Sequence, residues 1–416
     1  MRSVIGGLKM LTLGKAIGLL SVLMLGAQAG AAGFEKSIMF GGRTSGVAGI
    51  ATPYIQGSEA LYFNPAGLAT DKVGKDVSFN LSPSTSQFKG PITANDVQST
   101  SERKLVTPGS LMYQHSINEK LGVGVGAYNS GGTKSEYTNL PFNSGASSYT
   151  NAVDLVVSEF SLGAGYKISE RLKVGLGYRI TMINGSLKLL QRNPSSPTQI
   201  LISEYSDISG TNYMGFRLGA QYKLSDSTML GFTYRSDAPF SASTKSKVAG
   251  TTNDNKLLGT FPDAYTLGVQ HTFNANWNSL AELVWTNYSR MQNLQIQGTV
   301  GSSSSPKLEL AWNDQLNVRL AGEYLGFGMP VRFGYIYTSR VTDPQFAKAT
   351  FTPPGVAHTL TLGTGKNIGD SFAVNGGLAH TWASGDVTAG NSTDLVRNGT
   401  YSVAETALHL GASYSF

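Results

Sequence analysis

Strict two-residue alternation of apolar and polar side chains, repeated from about residue 75 to the last residue, is the feature that most limits what this chain can become. In 171–182 the even positions are Leu172, Val174, Leu176, Tyr178, Ile180 and Met182, while the odd ones are Arg171, Lys173, Gly175, Gly177, Arg179 and Thr181. Met214, Phe216, Leu218, Ala220, Tyr222 and Leu224 alternate in the same way with Gly215, Arg217, Gly219, Gln221 and Lys223, as do Val331, Phe333, Tyr335 and Tyr337 with Arg332, Gly334 and Thr338. A period of two is that of a β-strand with one face apolar and the other polar or bare.

A soluble sandwich would alternate too, so the connections have to decide. Short links at 118–120, 169–170, 225–227, 274–276, 327–329 and 367–370 take turns with long Ser/Thr/Asn/Gly/Pro-rich ones near 83–104, 132–152, 191–209, 241–260, 298–311, 342–355 and 384–402. Tight turns at one end and long loops at the other are the plan of an outer-membrane barrel. About fourteen strands are expected, an even number that closes the cylinder, the third of them at 121–131. Closure is obligatory, because an unpaired backbone group in hydrocarbon costs several kcal/mol. The fold class expected is therefore an all-β, transmembrane antiparallel barrel over 75–416.

The first thirty-one residues carry a different signal. Arg2, Lys9 and Lys15 precede an apolar stretch from Ala16 to Leu25 and the small residues Ala29-Gly30-Ala31, the pattern of a secretory signal peptide cleaved after Ala31 or Ala29. The formal charge of +6 includes these three cations, and what is left is too weak to point to nucleic acid. Cysteine is absent, which excludes disulfides and thiolate metal sites. At the other end, Leu408, Leu410, Ala412, Tyr414 and Phe416 form an alternating strand with a terminal aromatic. That ending is similar to the sorting signal of bacterial outer-membrane proteins, which makes the barrel-insertion machinery an expected partner during biogenesis, beside outer-membrane lipid. Tyr166, Tyr222, Phe273, Trp277 and Tyr414 stand near strand ends, where interfacial girdles form.

Residues 32–74 do not alternate. They are rich in Gly and Ala and contain Asn64-Pro65-Ala66. With Ala32-Gly33-Phe34 at the expected mature start, this stretch resembles the FadL family of transporters for long-chain fatty acids and other hydrophobic compounds, whose N-terminal plug carries an Asn-Pro-Ala motif. The resemblance implies a plug or hatch over 32–74, a ligand pocket near Ala32, Gly33 and Phe34, and passive uptake of a hydrophobic ligand, most simply a long-chain fatty acid. It also implies an inward kink in the third strand and lateral release through the gap this leaves. Asn129, Gly131 and Gly132 are the candidates for that kink, since Gly weakens a strand and marks bulges; a loop beginning at Asn129 is the competing reading. A secretion or surface-assembly scaffold of the same build is an alternative that the motif does not separate.

By face, Arg179, Arg217, Arg319 and Arg332 point into the lumen, because Arg against lipid at mid-bilayer costs ~2–4 kcal/mol. They are candidates for a ligand carboxylate, with Glu159, Glu282 and Glu323 as the competing partners. No nucleophile elbow, phosphate loop or His-Glu-x-x-His site occurs, and His115, His271, His358, His380 and His409 are dispersed. No enzyme activity, cofactor or metal is expected, and a monomer is. The loops hold few apolar runs for an external ligand groove, only 200–202 and 257–258.

Overall fold

The computed structural model describes residues 41–71, 73–92, 98–142, 147–193, 196–248, 250–300, 303–304, 307–390 and 396–416. The expected signal peptide and Ala32, Gly33 and Phe34 lie outside these residues. The chain forms a closed barrel of fourteen antiparallel strands. In order they are β1 (Lys75–Leu81, continued by Ser84–Pro91), β2 (Gln98–Thr100, Lys104–Val106 and Gly109–Ser116), β3 (Leu121–Phe142), β4 (Ser147–Lys167) and β5 (Leu172–Asn193). Next come β6 (Ser196–Lys223), β7 (Thr228–Arg235 and Ala238–Val248), β8 (Thr251–Phe261 and Ala264–Asn274), β9 (Trp277–Thr286 and Asn293–Gln297) and β10 (Lys307–Glu309 and Gln315–Tyr324). The last four are β11 (Val331–Thr338), β12 (Val356–Ile368), β13 (Phe372–Val387) and β14 (Gly399–Ser415). The seam closes between β1 and β14, from Asp76 opposite Ser415 to Leu81 opposite Leu410.

Every short link expected from the sequence is a turn between consecutive strands. The long loops are not all loops. Much of 132–152, 191–209 and 241–260 continues the strands of the wall, so that β3 runs to Phe142 instead of ending at 131 and β6 spans 28 residues. The reason lies in a change of contrast along each strand. On β5 the inward positions are odd throughout: Lys173, Gly175, Arg179 and Thr181 in the first half, then Ile183, Leu187 and Leu189 in the second, all but Gly175 buried. The outward positions change the opposite way, from Leu176 and Tyr178 to Asn184, Ser186 and Lys188. β4 does the same, passing from Gly163, Ser161 and Glu159 to Val157, Leu155 and Val153, and β7 passes from Thr233 to Phe240 and Ala242.

The wall thus has two zones. In the first, apolar side chains face out and remain exposed, as Leu176, Leu267 and Leu362 do, which is the lipid-facing band of a transmembrane barrel. In the second, water replaces lipid outside, and apolar side chains turn inward to escape it. There they build a large buried cluster containing Val153, Leu155, Ile183, Leu187, Phe240, Phe261, Leu294 and Trp312. The segment between β11 and β12 folds inward over this zone. Val341 and Phe351 join the large cluster, whereas Ala347 and Ala349 join a second one around Phe88, Tyr137 and Tyr401.

Candidate functional site

Residues 41–71 lie inside the cylinder, held by side chains from around its wall. A short helix (α1, Gly42–Gly46) is followed by a second (α2, Ala60–Phe63) and by a 3-10 turn, Pro65–Leu68. Thr361 of β12 accepts from Ala48 N at 3.2 Å and donates to Gly46 O at 3.1 Å. Glu282 of β9 accepts from Thr52 N at 3.3 Å, Gln221 of β6 donates to Ile55 O at 2.9 Å, and Gln114 of β2 donates to Leu68 O at 3.0 Å. Lys173 of β5 bridges to Asp71 at 2.7 Å. Burial raises the Asp71 carboxyl, but the hydrogen bonds from Lys173 and Gln56 outweigh it and hold the group below its ordinary range.

The motif residues sit where this segment meets the wall. Asn64, fully buried, donates from Nδ2 to Thr52 O at 2.8 Å and to Ala220 O of β6 at 3.0 Å, while its Oδ1 accepts from Ala66 N at 3.1 Å. Pro65 starts the 3-10 turn, where a missing N–H costs nothing. The bare inward positions of the sequence pattern now have a cause. A Cβ on Gly175 would lie 2.2 Å from Pro65 C, on Gly219 2.1 Å from Asn64 Oδ1, and on Gly231 2.4 Å from Thr52 O. These wall glycines are absences of side chain that make room for the inner segment.

All four luminal arginines are buried. Arg179 grips Glu159 with two bonds, 2.7 and 3.1 Å, and donates to Ser236 O at 3.0 Å. Arg319 pairs with Glu282 at 3.1 Å, and Arg332 with Glu323 at 2.7 Å and Asn375 at 3.0 Å. Arg217 is different. Its ion pair with Glu159 spans 3.9 Å, and its Nη1 donates to two neutral acceptors, Leu61 O at 3.0 Å and Tyr128 Oη at 3.3 Å. Arg217 and Arg319 line one small cavity of ≈ 60 Å³, together with Arg235, which the sequence reading passed over, and a single carboxylate, Glu282. Tyr62, Phe63 and Tyr288 supply its aromatic walls, and Tyr288 belongs to the large apolar cluster above. Arg332 instead lines a wider cavity of ≈ 580 Å³ toward the short-turn end, with Arg43, Glu59, Asp76, Glu323 and Lys366. There burial raises the Glu59 carboxyl above its ordinary range, against the hydrogen bond from Asn80, and pushes the Tyr54 phenol up to about 12, against nearby Arg43.

The third strand is irregular at the residues singled out for a kink. The register with β4 slips between Asn129 and Gly131, leaving Ser130 as the extra residue, and Gly132 adopts φ 136°. Below the slip Gly126 and Tyr128 take the inward positions; above it Gly131, Thr133 and Ser135 do. Residues 126–133 are buried without a break, so neither face of this stretch looks out from the wall. Pairing with β2 stops here too, the last pair being Ser110 with Tyr128. Two features of β2 and β3 end it: Pro108 has no N–H to donate, and the next donor, Gly109 N, is taken by Asn129 Oδ1 at 2.9 Å. Farther out, 104–106 pairs with β1 instead, and β3 rejoins its neighbour only where Glu102 N donates to Glu136 O at 2.8 Å and Lys104 bridges to Glu136 at 2.6 Å. Tyr128 and Met112, at the lower edge of this interruption, pack against Leu61, Tyr62 and Phe63 of the inner segment.

Among solved structures, a Pseudomonas aeruginosa FadL homologue is similar at 15% identity and a TM-score of 0.76, covering 92% of this chain and 99% of its own. The P. putida toluene transporter TodX is similar at 18% identity and a TM-score of 0.70, covering 90% and 98%. The Ralstonia pickettii toluene transporter TbuX follows at 17% and 0.66, covering 91% and 98%. No match was found among curated proteins. Residues 22–416 match the family described as outer membrane protein transport protein (OMPP1/FadL/TodX), and since that match takes in nearly the whole chain, this protein belongs to that family of outer-membrane hydrophobic-compound channels.

Proposed function

We propose that this barrel takes up long-chain carboxylates and related hydrophobic molecules passively, with residues 32–74 as its plug and release sideways into the membrane between β2 and β3. The observation that carries the reading is the inversion of the wall: apolar side chains that face lipid lower down face the lumen higher up. A hydrophobic ligand entering that zone exchanges water for apolar contacts. At the floor of the zone the ligand meets three guanidinium groups and one carboxylate, an excess of positive charge that suits an anionic headgroup. Toluene, the cargo named for two of the relatives, has no charge for that cavity to meet.

Lateral release follows from the same physics. An apolar molecule gains nothing by passing into periplasmic water, and the inner segment, bonded around the wall, stands in that direction. The interrupted pairing beside Tyr128 offers the other direction. Deleting Ser130 tests it, because this removes the extra residue of the bulge and keeps every other β3–β4 pair. Uptake of a radiolabelled C16 carboxylate by cells that depend on this protein should fall about tenfold, on the scale of one pairing free-energy step of ~1.4 kcal/mol. Full uptake through a folded deletion variant would exclude this exit.

A further inference from the structure

The cationic cavity and the break in the wall are connected by three side chains in mutual contact. The Tyr62 ring of the inner segment lies 5.0 Å from the Tyr128 ring, edge to face, and the Arg217 guanidinium sits 5.2 Å over the Tyr62 ring. Arg217 also reaches Tyr128 Oη. Tyr128 is the last residue of β3 in the ladder with β2 before the break. Its hydroxyl donates to Glu159 at 2.8 Å and lies 2.7 Å from Ser161 Oγ.

Charge is unevenly shared in this group. Glu159 is committed to Arg179 through two short bonds, so Arg217 is left with a distant share of it and with neutral acceptors. A carboxylate that reaches the cavity offers Arg217 an ion pair with an anionic acceptor, where its present hydrogen bonds go to neutral oxygens. Turning to meet it takes the guanidinium away from Leu61 O, Tyr128 Oη and the face of Tyr62. A neutral chain of the same length offers no such exchange, however well it fits the apolar zone.

We infer that Arg217, Tyr62 and Tyr128 form a headgroup-operated latch that makes sideways release conditional on an anionic ligand. Tyr62 and Tyr128 close the way from the cavity to the break in the wall, and Arg217 holds them together until an anion draws it off. This rests on the proposed uptake function and adds a selectivity step within it.

The test compares a C16 carboxylate with its methyl ester in uptake by cells expressing the full-length protein, with heat-modifiable mobility on gels reporting folding. The unaltered protein should favour the carboxylate. Tyr128→Phe keeps the ring and removes the hydroxyl that Arg217 bonds; it should raise ester uptake about two- to tenfold and so narrow the ratio of carboxylate to ester. Arg217→Gln removes the group that holds the rings and should abolish the preference by bringing the ester up toward the level of the carboxylate. Equal uptake of both probes by the unaltered protein overturns the latch and leaves the channel standing. A folded Tyr128→Phe barrel with an unchanged ratio overturns it as well. Failure of the unaltered protein to pass either probe removes the uptake function itself, and the latch with it.

Discussion

β3 and β5 are both 22 residues long, and both contain a glycine at a φ closed to other residues, Gly132 at 136° and Gly185 at 152°. Both also slip register against a neighbour, β3 against β4 and β5 against β6. Yet β5 stays paired across its bulge on both edges, with β4 from Lys173 to Lys188 and with β6 from Leu172 to Asn193, whereas β3 loses β2 at Tyr128. A bulge alone therefore does not interrupt the pairing of the wall. What interrupts it is the bulge together with a neighbour that cannot follow, and Pro108 with the Asn129 side chain supplies that. β5 bends within an intact sheet, as bulged strands ordinarily do.

The comparison can be broken most severely from the β5 side. Gly175→Val places a side chain where Pro65 lies, and overpacking of this kind costs roughly 1–3 kcal/mol, enough to shift the displaced inner segment by about ten- to a hundredfold. Entry of a small polar dye into proteoliposomes should rise accordingly; an unchanged barrier would mean that the segment is not what blocks the lumen. Next in size is Gly185→Ala, whose Cβ would lie 2.0 Å from Asp154 O. It should lower stability by about 1–3 kcal/mol in gel-shift melting while uptake per folded barrel stays constant, since this bulge leaves both edges paired. Reduced uptake would give β5 a part in transport.

A gentler change bears on β3. Pro108→Thr restores a backbone donor beside Gly109, and hydrogen exchange at β2 should show one more protected amide, with uptake reduced about two- to tenfold. The smallest effect expected is a pH dependence at Glu59. Its raised value means that the folded chain holds the proton more firmly than the unfolded chain does. The stabilisation is complete below the ordinary carboxylate range and is lost as pH rises from about 4 through the raised value. Protease sensitivity of the inner segment should increase slightly over that interval, and Glu59→Gln should abolish the slope.

The lower zone of the wall was legible in the sequence because lipid enforces contrast there. Leu176 and Tyr178 against Gly177 and Arg179 can be read in one direction only, and Glu159, Glu282 and Glu323 were identifiable as partners because buried cations need them. The upper zone was not legible. Ser241, Ser243, Lys245 and Lys247 face water on β7, so the stretch looks like a loop unless Phe240, Ala242 and Val248 are recognised as an inward row in reversed contrast. That inversion is a sequence signal, and it marks where lipid gives way to water. The break between β2 and β3 is hidden for another reason. Pro108 and Asn129 lie far apart in sequence, and only pairing brings a missing donor and a competing acceptor side by side. Arg235 was overlooked because it stands at a strand end, just before the interruption at 236–237 in β7.

The seam between β1 and β14 also constrains assembly. The strand that begins the circumference pairs with the fourteenth, so until β14 docks the sheet is an open ribbon with two bare edges. Residues 41–71 make bonds around the finished bore and fit closely against its wall glycines. Seating these residues and closing the seam are therefore coupled, because their wall partners on β2, β6, β9 and β12 come together only as the ribbon curls.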